Sequence, residues 1–293
     1  MYRVRLALLS LTLSTPFMAW AVDLQPNDIV APLPNKNYVT VSYLNTGNST
    51  LYKNGAAQAG NPVIDTQSAI FRGTRTYDLG SLPAVSFIQI PYGSIQPEGS
   101  LASQASPTGV GDLTFATAIW PYHNRATRTY LGLAGYLISP TGSYSSQRAF
   151  NVGENRFRTD LQMGFQTPIT SSVDGMIAVD TMWFGGNSQC AAACGLTTNG
   201  SLTQKPLTTT QLGPIYKINQ TYTLGASYFY VAGGATTIGN TYQNNVVNTQ
   251  RFLLSALAYY PFGRISLQYG RDTEIKNGFV ETRRLAIRYT TEF

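Results

Sequence analysis

From residue 36 onward, hydrophobic side chains recur at every second position, not every third or fourth. The last segment shows this best: Leu285, Ile287, Tyr289, Thr291 and Phe293 fall on one face, Arg284, Ala286, Arg288, Thr290 and Glu292 on the other. A period of two is that of an extended strand. The same alternation sets Phe157, Leu161, Met163 and Phe165 against Arg156, Arg158, Asp160 and Gln162. It sets Ile265, Leu267 and Tyr269 against Ser266, Gln268 and Gly270, and Leu113, Phe115 and Ile119 against Asp112, Thr114 and Ala118. Ile177, Val179 and Trp183 oppose Ala178 and Asp180 in the same way. Between Arg251 and Tyr260 both parities are apolar, so the faces there stay unassigned.

The pattern predicts twelve strands, roughly 36–45, 64–79, 84–95, 110–120, 128–138, 156–167, 174–184, 207–218, 222–232, 249–260, 264–273 and 281–293. The connections alternate in length. Short ones fall near Gly80–Pro83, Pro121–Thr127, Pro168–Val173, Asn219–Thr221 and Pro261–Gly263. Long ones fall near 46–63, 96–109, 139–155, 185–206, 233–248 and 274–280, and are rich in Gly, Asn, Ser, Thr and Pro, the residues of turns. An even strand number with short turns at one end and long loops at the other is the topology of an outer-membrane barrel. The expected fold is therefore all-β: a closed antiparallel transmembrane β-barrel of about twelve strands, with short periplasmic turns and long outer loops. Closure is required because in lipid every backbone N–H and C=O must find a partner within the protein.

Composition sharpens this picture. Only 12% of the 293 residues are charged, about half the ~25% of a soluble domain. Beyond the first twenty residues there is no apolar run of the ~18 residues that a membrane helix needs. The 19 Tyr and three Trp suit the two lipid–water interfaces, each ring having an apolar body and a polar tip. The net charge of +6 falls to +4 if Arg3 and Arg5 are removed, and no Lys/Arg cluster suggests a nucleic-acid partner.

Residues 1–21 read as a signal peptide. Arg3 and Arg5 precede the apolar stretch Leu6–Leu13, and Ala19-Trp20-Ala21 offers a cleavage site after Ala21. Residues 22–35, Pro-rich and partly apolar, form an arm that either rests in the periplasm or tucks into the barrel; residues 36–293 form the barrel. Export to an oxidising compartment favours a local disulfide between Cys190 and Cys194, the only cysteines, over two free thiols.

Candidate chemistry is sparse. The sole histidine, His123, falls in a predicted turn, without the Ser and orienting acid of a hydrolase. No cofactor is expected, and no metal: two cysteines without a neighbouring His do not complete a zinc site. The inward charges Arg72, Asp112, Arg156, Arg158, Asp160, Asp180, Arg284 and Arg288 are the candidate site. They either stiffen a filled lumen as salt bridges or form a constriction that selects solutes, as charged rings do in pores. With no phosphate-binding loop, any transport is passive.

The closing Thr-Glu-Phe, with Tyr289 and Phe293 on the apolar parity, resembles the C-terminal signature read by the barrel-assembly machinery. Four internal stretches resemble a family of outer-membrane channel-like proteins labelled with the meta-pathway of phenol degradation. They are Asp23-Leu24-Gln25-Pro26-Asn27-Asp28 with Ala31-Pro32-Leu33-Pro34; Gly109-Val110-Gly111-Asp112-Leu113; Pro140-Thr141-Gly142-Ser143-Tyr144 followed by Asn151-Val152-Gly153-Glu154-Asn155-Arg156; and Lys276-Asn277-Gly278. The resemblance implies a monomeric barrel in outer-membrane lipid that takes up small hydrophobic or aromatic compounds. The alternatives are a filled-lumen structural or binding protein acting through its outer loops, and an outer-membrane lipid hydrolase.

Overall fold

The computed structural model describes residues 23–293; the expected signal peptide, its cleavage point after Ala21, and Val22 lie outside the described residues. Twelve long strands follow one another: β1 Asn37–Lys53, β2 Pro62–Leu79, β3 Leu82–Gly99, β4 Leu113–Asn124, β5 Thr129–Ser139, β6 Arg158–Pro168, β7 Val173–Phe184, β8 Leu207–Lys217, β9 Tyr222–Gly233, β10 Val247–Tyr260, β11 Gly263–Ile275 and β12 Gly278–Glu292. Each pairs antiparallel with the next, and β12 returns to β1 from Tyr38↔Glu292 up to Tyr52↔Gly278, closing the sheet on itself.

The two faces of the wall are inverted relative to a soluble protein. On β6, Arg158, Asp160, Gln162 and Gln166 are buried, whereas Leu161, Met163 and Phe165 are exposed. The adjacent pair Asp160 and Leu161 are 0% and 62% exposed. The same inversion holds on β7, where Asp174 and Asp180 are buried and Ile177 and Trp183 are exposed. An outer surface carrying Val39, Val41, Phe71, Ile88, Phe115, Leu254, Leu267, Leu285 and Ile287 belongs in hydrocarbon. Near the short turns, aromatic tips pair up: Tyr260 stacks on Phe262 at 5.0 Å, and the Tyr289 hydroxyl donates to the Phe262 carbonyl at 2.7 Å.

All twelve expected strands are present, with changed ends. β1 runs on to Lys53, and the expected long connection 46–63 shrinks to residues 54–61. The stretch Thr46–Ser49 looks like a loop because it is polar, yet β2 and β12 pair with it on both sides. A strand of 17 residues reaches roughly 56 Å at ~3.3 Å per residue, well past the hydrocarbon, so its outer part has no lipid-facing side to create alternation. The expected long connection 274–280 is likewise corrected to a turn at Lys276 and Asn277 between β11 and β12. The segment expected as one strand over 110–120 is broken: Thr108–Val110 pairs with β3, Gly111 and Asp112 leave the ladder, and β4 starts at Leu113. At the other end β4 continues to Asn124, past the predicted turn start at Pro121.

One element has no counterpart in the sequence pattern. Asn187–Cys190, Gly200–Gln204, Thr236–Ile238 and Thr241–Tyr242 form a separate four-stranded sheet joining the outer loops 185–206 and 234–246.

Candidate functional site

Inside the barrel charged residues gather at the outer mouth, mid-wall and along the arm, and Asp174 at the start of β7 is paired with Lys217 and Arg128. At the mouth, loop 140–157 folds inward. Phe150, 1% exposed, packs with Ile64, Ile95, Leu101 and Phe279. Asp112 fastens the loop by accepting from the backbone N–H groups of Gly142 and Glu154, each at 3.0 Å. Gly142 and Gly153 approach so closely that a Cβ on Gly142 would lie 2.7 Å from the Gly153 Cα. Two stretches far apart in sequence, 109–113 and 140–156, thus form one knot. Arg158 spans Asp112 at 3.4 Å and Glu154 at 2.7 Å, and Arg156 donates to Glu154 at 2.7 and 2.9 Å and to Gln204 at 2.7 Å. Burial lifts the Glu154 carboxyl, but Arg158 and Arg156 outweigh it and hold the group below its ordinary 4.5. For Asp112 burial dominates and pushes it above its ordinary 3.8, against the Glu154 amide, Arg158 and the Gly142 amide.

Mid-wall, Asp160 and Asp180 project from β6 and β7. Asp160 stands opposite Tyr136 on β5, and neither of its oxygens has a hydrogen-bond partner among the described residues. The Tyr136 hydroxyl instead donates to Gln162 at 3.0 Å.

The third group is built around the arm, which lies within the lumen. Asp23 pairs with Arg251 and, at 3.2 Å, with Arg284, which is also held by Glu281 at 2.7 Å. Asp28 pairs with Arg264 at 3.2 Å and Arg288 at 3.4 Å. Gln211 exchanges two hydrogen bonds with the Leu24 backbone, at 3.1 and 2.8 Å. The Trp120 indole donates to the Ile29 carbonyl at 2.7 Å, and Arg125 donates to the Ala31 and Pro32 carbonyls. Ile29 and Ala31 pack with Trp120, Tyr130, Met176 and Ile215; burying an isoleucine contributes about 1.5–3 kcal/mol. The wall is shaped to this guest: a Cβ on Gly225 would lie 2.4 Å from Pro26. Beside the arm remains a cavity of about 860 Å³, lined by Arg72, Phe87, Trp120, Tyr136, Arg264 and Arg288 among others.

The eight expected charges are thus divided. Asp112, Arg156 and Arg158 serve the mouth, Asp160 and Asp180 the mid-wall, and Arg72, Arg284 and Arg288 the side facing the arm. Arg156 belongs to the loop ahead of β6, not to the strand, as does Phe157. Arg251, Arg264, Asp272, Asp174, Glu154, Glu281 and the arm's Asp23 and Asp28 were missed. Arg264 shares the parity of Ser266 and Gln268 and could have been found; Arg251 sits where both parities are apolar, and Asp23 and Asp28 precede any strand.

Cys190 and Cys194 are disulfide-bonded at the edge of the outer sheet, around a short 3₁₀ turn at Ala192–Cys194. His123, exposed at the end of β4, lies 3.3 Å from the Trp120 carbonyl. No group of three metal-binding side chains occurs among the described residues. Tyr289 and Phe293 are both exposed, on the outer wall and at the chain end.

A closed wall of twelve strands, apolar outside and charged inside, defines a bacterial outer-membrane β-barrel. Residues 47–289 match the family model described as "Putative MetA-pathway of phenol degradation", and the chain belongs to that family. Among solved structures, the COG4313 outer membrane channel from Pseudomonas putida F1 is similar with a TM-score of 0.87 and 25% identity, over 92% of this chain and 100% of that one. The translocator domain of the autotransporter NalP from Neisseria meningitidis gives 0.51 at 11% identity, over 90% of each chain, and shares the fold alone. Comparison with curated protein sequences gave no match.

Proposed function

We propose that this barrel is a passive channel for small hydrophobic or aromatic molecules. The observation that carries the reading is the cavity of about 860 Å³ inside the wall, lined by aromatic rings as well as charges. A barrel that served only as a rigid support would pack this space with side chains. The family's description and the similarity to an outer membrane channel support the same reading. In this proposal the arm and loop 140–157 are the two closures, the protein works as a monomer in outer-membrane lipid, and Tyr289 with Phe293 present the signal for barrel assembly.

Liposome swelling and planar-bilayer conductance test it, on the mature chain and on a chain lacking 23–35. Solute entry is expected, larger without the arm. A barrel impermeable to every small solute in both forms would overturn the channel reading.

A second reading draws on the four-stranded sheet over loops 185–206 and 234–246: a binding protein acting at the cell surface. Deleting those loops would then abolish partner binding and leave solute flux unchanged.

A further inference from the structure

We propose that the lumenal cavity holds an aromatic carboxylate, with its charge on Arg72 and Arg288 and its ring against Phe87 and Tyr136. The proposal deepens the channel reading and rests on it for its physiological use, though the site itself is argued from local charge and shape. Three guanidinium groups, Arg72, Arg264 and Arg288, line this cavity. Asp28 is the carboxylate among them, and it is shared between Arg264 at 3.2 Å and Arg288 at 3.4 Å. Two further carboxylates reach the lining but are engaged elsewhere: Asp23 by Arg251 and Arg284, and Glu292 by Lys36 at 2.5 Å.

Arg72 is the distinctive member. Among the described residues no carboxylate lies within ion-pair distance of it; Asp28, which acts on it at longer range, is held by Arg264 and Arg288. Its Nε and one Nη both donate to the Gln89 side-chain oxygen, at 2.9 and 2.6 Å. A guanidinium has five N–H donors, so three remain for a ligand. Its plane lies over the Phe87 ring, with 4.2 Å from Cζ to the ring centre. Phe87 in turn meets Tyr136 edge-on at 6.1 Å. Positive charge and aromatic faces therefore converge on one side of the cavity.

The chemistry of the solute follows from that combination. A neutral aromatic hydrocarbon would gain only the weaker cation–π attraction of a guanidinium over its face. A phenol, with a pKa near 10, arrives uncharged at neutral pH, whereas a carboxylate, with a pKa near 4, arrives ionised. The planar guanidinium fork matches two carboxylate oxygens at once. The arm's own carboxylates show that arginines of this wall take carboxylates: Asp23 and Asp28 each bridge two of them, one oxygen to each.

The test is calorimetric titration of the purified barrel in detergent with benzoate, benzyl alcohol and acetate. Benzoate is expected to bind at least tenfold tighter than either of the others. Arg72→Gln should weaken benzoate at least tenfold, Arg72→Lys should fall between, and Phe87→Leu should narrow the gap between benzoate and acetate. Arg283→Gln, at an exposed pair with Asp65 outside the cavity, should leave the titration unchanged. Heat-dependent gel mobility reports whether each variant has folded. Equal affinity for benzoate and benzyl alcohol, equal affinity for benzoate and acetate, no benzoate binding, or an unaltered Arg72→Gln titration would each overturn the proposal. Binding without flux would leave the site standing and remove the channel; flux without selective binding would do the reverse.

Discussion

Of the wall glycines that face the arm, Gly225 leaves less room than Gly164. With a Cβ only 2.4 Å from Pro26, any larger side chain must push the arm aside. Overpacking of this kind costs about 1–3 kcal/mol, and here the cost falls on the arm rather than on the ladder of the wall. Gly225→Val is expected to leave a folded, heat-modifiable barrel, to expose residues 23–35 to protease and to raise bilayer conductance. Unchanged protection and conductance would mean that the arm does not obstruct flow. The inward charges show which single positions the alternation makes readable. Arg158, Asp160, Asp180, Arg284 and Arg288 stand on strands whose opposite parity carries an apolar run: Leu161 to Phe165, Ile177 with Val179, and Leu285 to Tyr289. Arg251 has apolar neighbours on both parities, because Leu253 and Leu257 are buried inside the barrel while Leu254 faces outward.

Among the connecting segments, loop 140–157 carries the clearest pH response. Glu154 is held below its ordinary 4.5 by Arg158 and Arg156 against the effect of burial. A depressed carboxylate pKa contributes stability that is fully present above the ordinary value and is lost as pH falls through the depressed one. Bilayer current should therefore hold steady above pH 4.5 and rise on acidification below it, as the loop loosens. Glu154→Gln should abolish that acid step. The disulfide acts on a smaller element. Its ring closes over a sequence separation of four residues, for which loop entropy allows about 2 kcal/mol at most. Reduction should speed hydrogen exchange in 187–204 and 236–242 while the barrel's melting temperature stays the same. The outer sheet was not legible beforehand because its strands are two to five residues long and join two loops distant in sequence.

Taken as one molecule, the barrel depends on its inverted surfaces. Removing detergent from the barrel of residues 23–293 should precipitate it, since leucine, isoleucine and phenylalanine cover the outer wall; a monodisperse solution in plain buffer, seen by light scattering, would contradict the membrane fold. Inside, the two signs are unevenly spread. On β10–β12, Arg251, Arg264, Arg284 and Arg288 outnumber Asp272 and Glu281, whereas on β6 and β7 Asp160, Asp174 and Asp180 outnumber Arg158. The arm's Asp23 and Asp28 sit on the basic side and neutralise part of it. The excess that remains at Arg72 and Arg288 gives the cavity its proposed preference.

The residue order alone determined the strand count, the inversion of faces and the end of the barrel that carries long loops. These follow from a period of two against lipid, and such a period is local. It could not determine how far strands rise beyond the bilayer, because there both faces meet water and the alternation fades. Nor could it place the arm in the lumen or join Asp112 to Gly142 and Glu154. Those contacts form between segments that meet only once the sheet has closed, and their short polar motifs carry no periodic trace of the partners they will find.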